Sequence, residues 1–224
     1  MNGTPLAAPG ASPVDPYTRY LRSFFSRWSP LYDAFAAPIG FAYRAAVVTA
    51  GAAAGRSLLD LCTGTGELAL RAARRGAEVT AVDFTPSMLR RARRKGCGRV
   101  AGAIRWLEMD CRSLAFADRS FDVSVLSFAL HDMPRTVRRQ VLLEAARVAR
   151  DGVVVLDYDP AVESGPGRAV LRLLATFETA YLRGFVRSGG AEVALRTAGL
   201  DVRARSRPVP GLFGVWKAVP RSGS

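Results

Sequence analysis

The run Leu58-Leu59-Asp60-Leu61 followed by Cys62-Thr63-Gly64-Thr65-Gly66 constrains this chain more than any other feature. An apolar run of strand length brings an aspartate to its carboxyl end, and two glycines stand where the backbone turns into a helical pattern, Gly66 to Arg75. Glycine lets the main chain approach a ligand, and a helix start presents unpaired N–H groups, so the segment reads as a loop that holds a small molecule. Dinucleotide-binding proteins carry a similar loop. Here Leu68-Ala69 stand where the third glycine of G-x-G-x-x-G belongs, which disfavours a nicotinamide cofactor.

Around this loop, short apolar runs alternate with helical patterns. Strands are expected at Ser57 to Leu61, Glu78 to Val82, Ile104 to Glu108, Phe121 to Ser127 and Val153 to Asp157, with helices at Pro86 to Lys95 and Pro134 to Ala149. Such alternation predicts an α/β fold around a mostly parallel sheet. Helical stretches follow at about Arg168 to Phe185 and Gly190 to Ala198. Val202 to Arg207 and Gly214 to Val219, joined through Pro208, Pro210 and Gly211, then form an antiparallel hairpin at a sheet edge.

Two further acidic residues stand at strand ends. Asp83 ends the second strand, about 20 residues past the loop, where a carboxylate accepts both hydroxyls of a ribose. Asp110 follows the third strand, where it can accept from the exocyclic amine of adenine while Cys111 donates its backbone N–H. A single aspartate after a strand is more often a turn former or helix cap. Three of them at successive strand ends after a glycine loop point to a nucleoside-containing ligand.

Composition sets the outer limits. A chain of 224 residues, 49% of them hydrophobic, buries one sizeable core. No apolar run reaches the roughly 18 residues needed to span a bilayer, and the start lacks the pattern of a signal peptide, so an intracellular protein is expected. Cys62, Cys97 and Cys111 are odd in number and contain no C-x-x-C pair, which suggests neither a disulfide framework nor a metal site. The net charge of +13 comes almost wholly from arginine, with Lys95 and Lys217 the only lysines; it favours anionic partners, or it reflects coding bias.

Residues 1–15 read as a flexible tail rich in Pro, Ala, Gly and Ser, residues 16–50 as amphipathic helices, and residues 51–220 as the main domain. Tyr17, Tyr20, Leu21, Phe24, Phe25 and Trp28 share one helical face opposite Arg19, Arg22 and Arg27, in a helix expected to end at Ser29-Pro30. Nine of the chain's aromatic residues lie between Tyr17 and Tyr43. Such a segment can close over an apolar acceptor, lie on a membrane surface, or simply pack on the sheet's helices.

The segments LLDLCTGTGELA at 58–69, VTAVDFTPSML at 79–89 and LAFADRSFDVSVLSFALHDM at 114–133, with GVWKA at 214–218, resemble the ubiquinone/menaquinone C-methyltransferases and related phospholipid N-methyltransferases. These are class I S-adenosylmethionine-dependent methyltransferases, and the resemblance covers roughly residues 20–220. It implies a Rossmann-like, seven-stranded, mostly parallel sheet and S-adenosylmethionine as cofactor, with S-adenosylhomocysteine as product. It places Asp60, Cys62, Thr63, Gly64 and Gly66 around the methionine part and Asp83 at the ribose. Phe84 and Met88 fall on the adenine faces, Asp110 and Cys111 on the adenine edge, and Ser127 before the segment beneath the sulfonium. The chain departs from the quinone enzymes where His131-Asp132 replaces Arg-Asn and Asp151-Gly152 replaces Gly-Gly. Fold and cofactor therefore transfer, and ring specificity does not.

Methyl transfer requires alignment and exclusion of water, plus a base wherever the acceptor loses a proton. His131, the only histidine, is the candidate base or acceptor contact, with Asp132 and Tyr32 as further catalytic candidates. The expected acceptor is amphiphilic and membrane-associated, either a phospholipid amine, slightly favoured, or a prenylated quinone precursor, with the protein cytoplasmic and peripheral at the inner face of the membrane. An RNA or soluble small-molecule methyltransferase, suggested by Arg90, Arg91, Arg93, Arg94 and Lys95, and a noncatalytic cofactor-binding protein are the alternatives; oligomeric state stays open. Removing residues 1–29 is expected to leave cofactor affinity largely intact, because the glycine loop begins some 30 residues later.

Overall fold

The computed structural model describes residues 15–36, 39–97, 100, 102–160, 181–209 and 212–221, excluding the side chains of 28–36 and 209. Its strands are β1 (Ser57–Leu61), β2 (Glu78–Asp83), β3 (Ile104–Glu108), β4 (Val123–Ser127), β5 (Val153–Tyr158), β6 (Leu200–Val209) and β7 (Phe213–Pro220). Its α-helices are α1 (Pro16–Ala36), α2 (Gly40–Thr49), α3 (Glu67–Ala73), α4 (Pro86–Lys95), α5 (Arg135–Val148), α6 (Leu182–Arg187) and α7 (Gly190–Thr197).

The strands join in the order β3-β2-β1-β4-β5-β7-β6. Those from β1 to β5 pair in parallel, and β7 runs antiparallel between β5 and the edge strand β6. Every residue of β4 and β5 is buried, which is why β5 reads as a continuous apolar run from Val153 to Leu156, while in β4 the buried Ser124 hydroxyl donates to the Ala145 carbonyl. Trp216 of β7 is fully buried, and Ala42, Tyr43, Ala46 and Val47 of α2 extend the same core. From β1 the chain winds outward through β2 to β3, then returns to lay β4 on the other side of β1. The reversal opens a crevice at the carboxyl ends of β1 and β4, where open α/β sheets bind their ligands.

Several boundaries differ from expectation. Helix α1 does not stop at Ser29-Pro30 but runs through Pro30 to Ala36. A mid-helix proline removes one N–H donor and costs about 3 kcal/mol, yet such local preferences yield to the rest of the fold. Asp15, read from the sequence as part of the tail, belongs to the start of α1. Asp15 caps α1, accepting the Thr18 N–H at 2.9 Å, and these contacts with those of Arg112 hold its carboxyl down at about 2. Residues 1–14, and most of the helix expected from Arg168 to Phe185, lie outside the described residues. Phe121 makes only an isolated bridge to Ala149, so β4 begins at Val123. Among the described residues, no helix is long and apolar enough to cross a membrane.

Gly152, the second member of the Asp151-Gly152 turn, shows how β5 is seated. Its φ is +102°, and an added Cβ would fall 2.2 Å from the carbonyl oxygen of Ala218 in β7. Gly152→Ala combines backbone strain with overpacking, so we expect a loss of at least about 2 kcal/mol in urea unfolding. An unchanged midpoint and slope would show that β7 gives way at no cost.

Candidate active site

The loop after β1 bends through left-handed conformations at Cys62 (φ 55°), Gly64 (φ 54°) and Gly66 (φ 80°). The two glycines serve different ends. A Cβ on Gly66 would stand 2.6 Å from the Trp106 ring, whereas one on Gly64 meets nothing within 4 Å. Gly66 thus lets β3 and α3 pack closely, while Gly64 faces open space. Asp60 is wholly buried beneath the loop; its Oδ2 accepts the Thr63 hydroxyl at 2.5 Å, and its Oδ1 meets no hydrogen-bond donor among the described residues. Burial pushes this carboxyl up to about 7.

Asp83, at the end of β2, ties the loop down. Its Oδ2 accepts the Gly64 N–H at 2.8 Å and its Oδ1 the Thr85 N–H at 2.8 Å, while burial raises its pKa against those bonds. A cleft opens beside this junction. Cys62, Gly64, Asp83, Phe84 and Met88 form one wall and Phe128, Ala129, Asp132 and Met133 the other, with Tyr17, Leu21 and Phe25 of α1 over them. The face of α1 read as membrane-directed therefore turns in part toward the cleft. Among the described side chains of α1, Tyr20 is the large apolar residue that remains exposed.

The candidate adenine edge is tied to α1 as well. Arg112 binds both oxygens of Asp110 through Nε and Nη2 and reaches Asp15 at 2.7 Å and the Thr18 hydroxyl at 3.0 Å. Asp110 and Cys111 are not among the described residues lining the cleft. Cys111 is buried, and its sulfur lies 3.6 Å from that of Cys62, so two of the three cysteines meet despite their 49-residue separation.

Ser127, buried at the end of β4, leads into Phe128, whose φ of 50° is held by edge-to-face contacts with Tyr43 at 5.4 Å and Phe213 at 5.0 Å. The 3-10 turn Leu130–Asp132 follows. His131 does not line the cleft: its ring is buried behind the turn, with Nδ1 2.8 Å from Asp157 Oδ1 and Nε2 3.5 Å from Asp132 Oδ2. Asp132 is the member of the pair on the cleft wall. Asp157, fully buried at the end of β5, also accepts the N–H groups of Leu130 and Tyr158. Sequence reasoning passed over Asp157, although the signal it used for Asp60 and Asp83, an aspartate at a strand end, was present there too. Tyr17 was likewise missed; its hydroxyl donates to the Asp132 carbonyl at 3.3 Å. Tyr32 lies in α1, with its side chain outside the described residues.

Comparison with known proteins gives this geometry a family. A model of a methyltransferase domain matches residues 58–152. A 2-phytyl-1,4-naphtoquinone methyltransferase of Nostoc punctiforme is 33% identical over 181 residues, covering 75% of this chain and 74% of that protein. The chain belongs to the class I S-adenosylmethionine-dependent methyltransferases. A demethylmenaquinone methyltransferase of Thermus thermophilus is 38% identical over 145 residues, covering 61% of this chain and 64% of that protein. The solved cyclase SpnF shares the fold, with a TM-score of 0.71, 16% identity, and coverage of 94% of this chain and 98% of its own.

The residues of this methyltransferase fit the cofactor. Gly64 leaves room at the loop, and the unpartnered Asp60 Oδ1 is an acceptor suited to a cationic amino group or a water beneath it. Asp83 lines the cleft and has lone pairs beyond its two backbone bonds for ribose hydroxyls, and Phe84 and Met88 offer apolar surface for a purine. Part of the charge once read as an RNA signal is used within the fold: Lys95 pairs with Glu67 at 3.2 Å, and Arg93 donates to the Trp106 carbonyl.

Asp83→Ala, which removes a cleft-lining carboxylate and its tie to Gly64, is expected to weaken S-adenosylmethionine binding at least tenfold, about 1.4 kcal/mol, by calorimetry. A cation bound beside Asp60 favours its ionised form, so binding releases a proton below its pKa of about 7. Affinity in the wild type should therefore climb toward pH 7, and Asp60→Asn should reduce that climb.

Proposed function

We propose that this enzyme methylates a ring carbon of a hydroxylated aromatic acceptor with a long apolar tail, the quinol form of a prenylated quinone precursor. The observation that carries the reading is Asp132, a carboxylate set in an otherwise largely apolar wall and backed by His131 and Asp157. The relatives named for naphthoquinone and demethylmenaquinone substrates point the same way. S-adenosylmethionine, when bound, supplies an electrophilic methyl group on a sulfonium.

The chain's own part is to hold the acceptor and take its proton. A quinol ring carbon becomes strongly nucleophilic as its hydroxyl ionises, so the base must lie at the hydroxyl rather than at the carbon. Asp132, on the cleft wall, takes that proton. His131, with Nδ1 held on Asp157, stands 3.5 Å behind it and shares the charge through Nε2. His131 thus acts as a positioning residue, and Asp132 takes the role first read into the histidine. The phospholipid-amine acceptor is the weaker reading, because among the described residues lining the cleft none is an arginine or lysine to meet a headgroup phosphate.

Helix α1 closes the cleft against water through Tyr17, Leu21 and Phe25. An acceptor with a long tail is drawn from a membrane, and the outer surface suits brief contact there, with Arg27 and Tyr20 exposed on α1 and Phe41 and Val48 exposed on α2. Removing residues 1–29 should now weaken cofactor binding as well, since it deletes part of the cleft and the partners of Arg112.

The acceptor is tested with labelled cofactor and vesicles carrying either a prenylated naphthoquinol or phosphatidylethanolamine. Label in the quinol is expected; label in the amine lipid alone overturns the reading. Asp132→Asn should lower turnover on the quinol at least about 100-fold with cofactor affinity changed little, whereas His131→Ala should cost less and alter the pH profile. Wild-type turnover in Asp132→Asn removes it from the chemistry. The protein should also sediment more with phosphatidylglycerol vesicles than with neutral ones, and salt should release it; equal sedimentation with both would assign the basic surface no lipid role.

A further inference from the structure

Cys62 and Cys111 belong to different strand ends, 49 residues apart, yet their sulfurs stand 3.6 Å from one another. Cys62 lines the cleft between β1 and the glycine loop, and Cys111 is buried directly after Asp110. A disulfide has its sulfurs about 2 Å apart, so the pair must close by roughly 1.5 Å. Cys62 already sits in a left-handed backbone conformation at φ 55°, two residues before Gly64. Drawing its sulfur toward Cys111 moves the loop that Asp83 holds.

We infer that Cys62 and Cys111 are an oxidisable dithiol that forms a reversible disulfide and thereby weakens cofactor binding. The inference rests on the reading of this cleft as the cofactor site. With a peroxide as oxidant, the sulfur of Cys62, a residue that lines the cleft, attacks one peroxide oxygen; the O–O bond breaks, leaving Cys62 as a sulfenic acid with release of one water. Cys111 then attacks the sulfenic sulfur, the S–S bond forms, and the hydroxyl leaves as a second water with the thiol proton. Two thiols and one hydrogen peroxide thus give one disulfide and two waters, the sulfurs together losing two electrons. The Cys111 sulfur beside it, then burial and the nearby aspartates, push the Cys62 thiol up, so the pair reacts slowly and stays reduced until an oxidant reaches the cleft. A bound cofactor occupies that entrance, so it shields the pair.

Cys97 is exposed and distant from the cleft wall, so Cys97→Ser leaves two thiols to follow. After hydrogen peroxide, this variant should lose both titratable thiols and the mass of two hydrogens, stay monomeric on a non-reducing gel, and bind S-adenosylmethionine at least tenfold more weakly. Dithiothreitol should restore both, and saturating S-adenosylmethionine should slow the oxidation. Adding Cys111→Ser should prevent the two-hydrogen loss. Persistence of the thiols, oxygen addition in place of hydrogen loss, or oxidation equally fast with the cofactor present overturns the inference. A disulfide that forms without changing affinity overturns it too. If Asp83→Ala then also leaves affinity intact, the cofactor-site reading has failed as well; if Asp83→Ala weakens binding, the fault lies in the dithiol alone.

Discussion

The carboxylate of Asp83 is the interaction on which the rest of this active site depends. Parallel strands end side by side but their loops are independent, and nothing in a β-ladder fixes how one loop lies against the next. By accepting one N–H from Gly64 and one from Thr85, Asp83 turns the ends of β1 and β2 into a single rigid floor. These bonds offset the cost of burying an ionisable group, and they hold the carboxylate on the cleft wall. Gly64 can face open space because its backbone is held from below. Gly66, one step on, is packed against Trp106 and secures the same loop from the other side.

A second buried carboxylate does the corresponding work at the other wall. Asp157 accepts backbone N–H groups from the 3-10 turn and holds the His131 ring, so the turn cannot drift away from β5. Asp132 reaches the cleft because its neighbour is anchored behind it. The two walls then share a cover. Helix α1 is fastened at its start by Arg112, which joins Asp15 and Thr18 to Asp110, and by Tyr17, whose hydroxyl donates to the Asp132 carbonyl. The two walls and α1 are therefore fastened through Asp83, Asp157, Asp15 and Asp110 with Arg112, and Tyr17 joins α1 to the 3-10 turn.

Much of this was legible in the chain. Hydrophobic period alone located β1, β3 and α4 to the residue, because short apolar runs and a helix starting at a proline leave strong local marks. The aspartates at 60, 83 and 110 stood out by position relative to those strands. Less legible was the length of α1, where Pro30 reads as a stop but the helix continues. The direction in which its aromatic face turns was also hidden, since an amphipathic helix has the same period whether it covers a membrane or a cleft.

The sequence by itself determined the architecture, the glycine loop and the acidic residues that await a nucleoside, because each depends on spacing within a short segment. Only the tertiary structure decided which groups meet. It put Asp132 rather than His131 on the cleft wall, paired His131 with the overlooked Asp157, brought the sulfurs of Cys62 and Cys111 within 3.6 Å, and gave Asp110 to Arg112. Those contacts join residues 25 to 50 positions apart, save for Arg112, which then reaches back 97 residues to Asp15. Such pairings arise from strand order and crossover, and no periodicity along the chain encodes them.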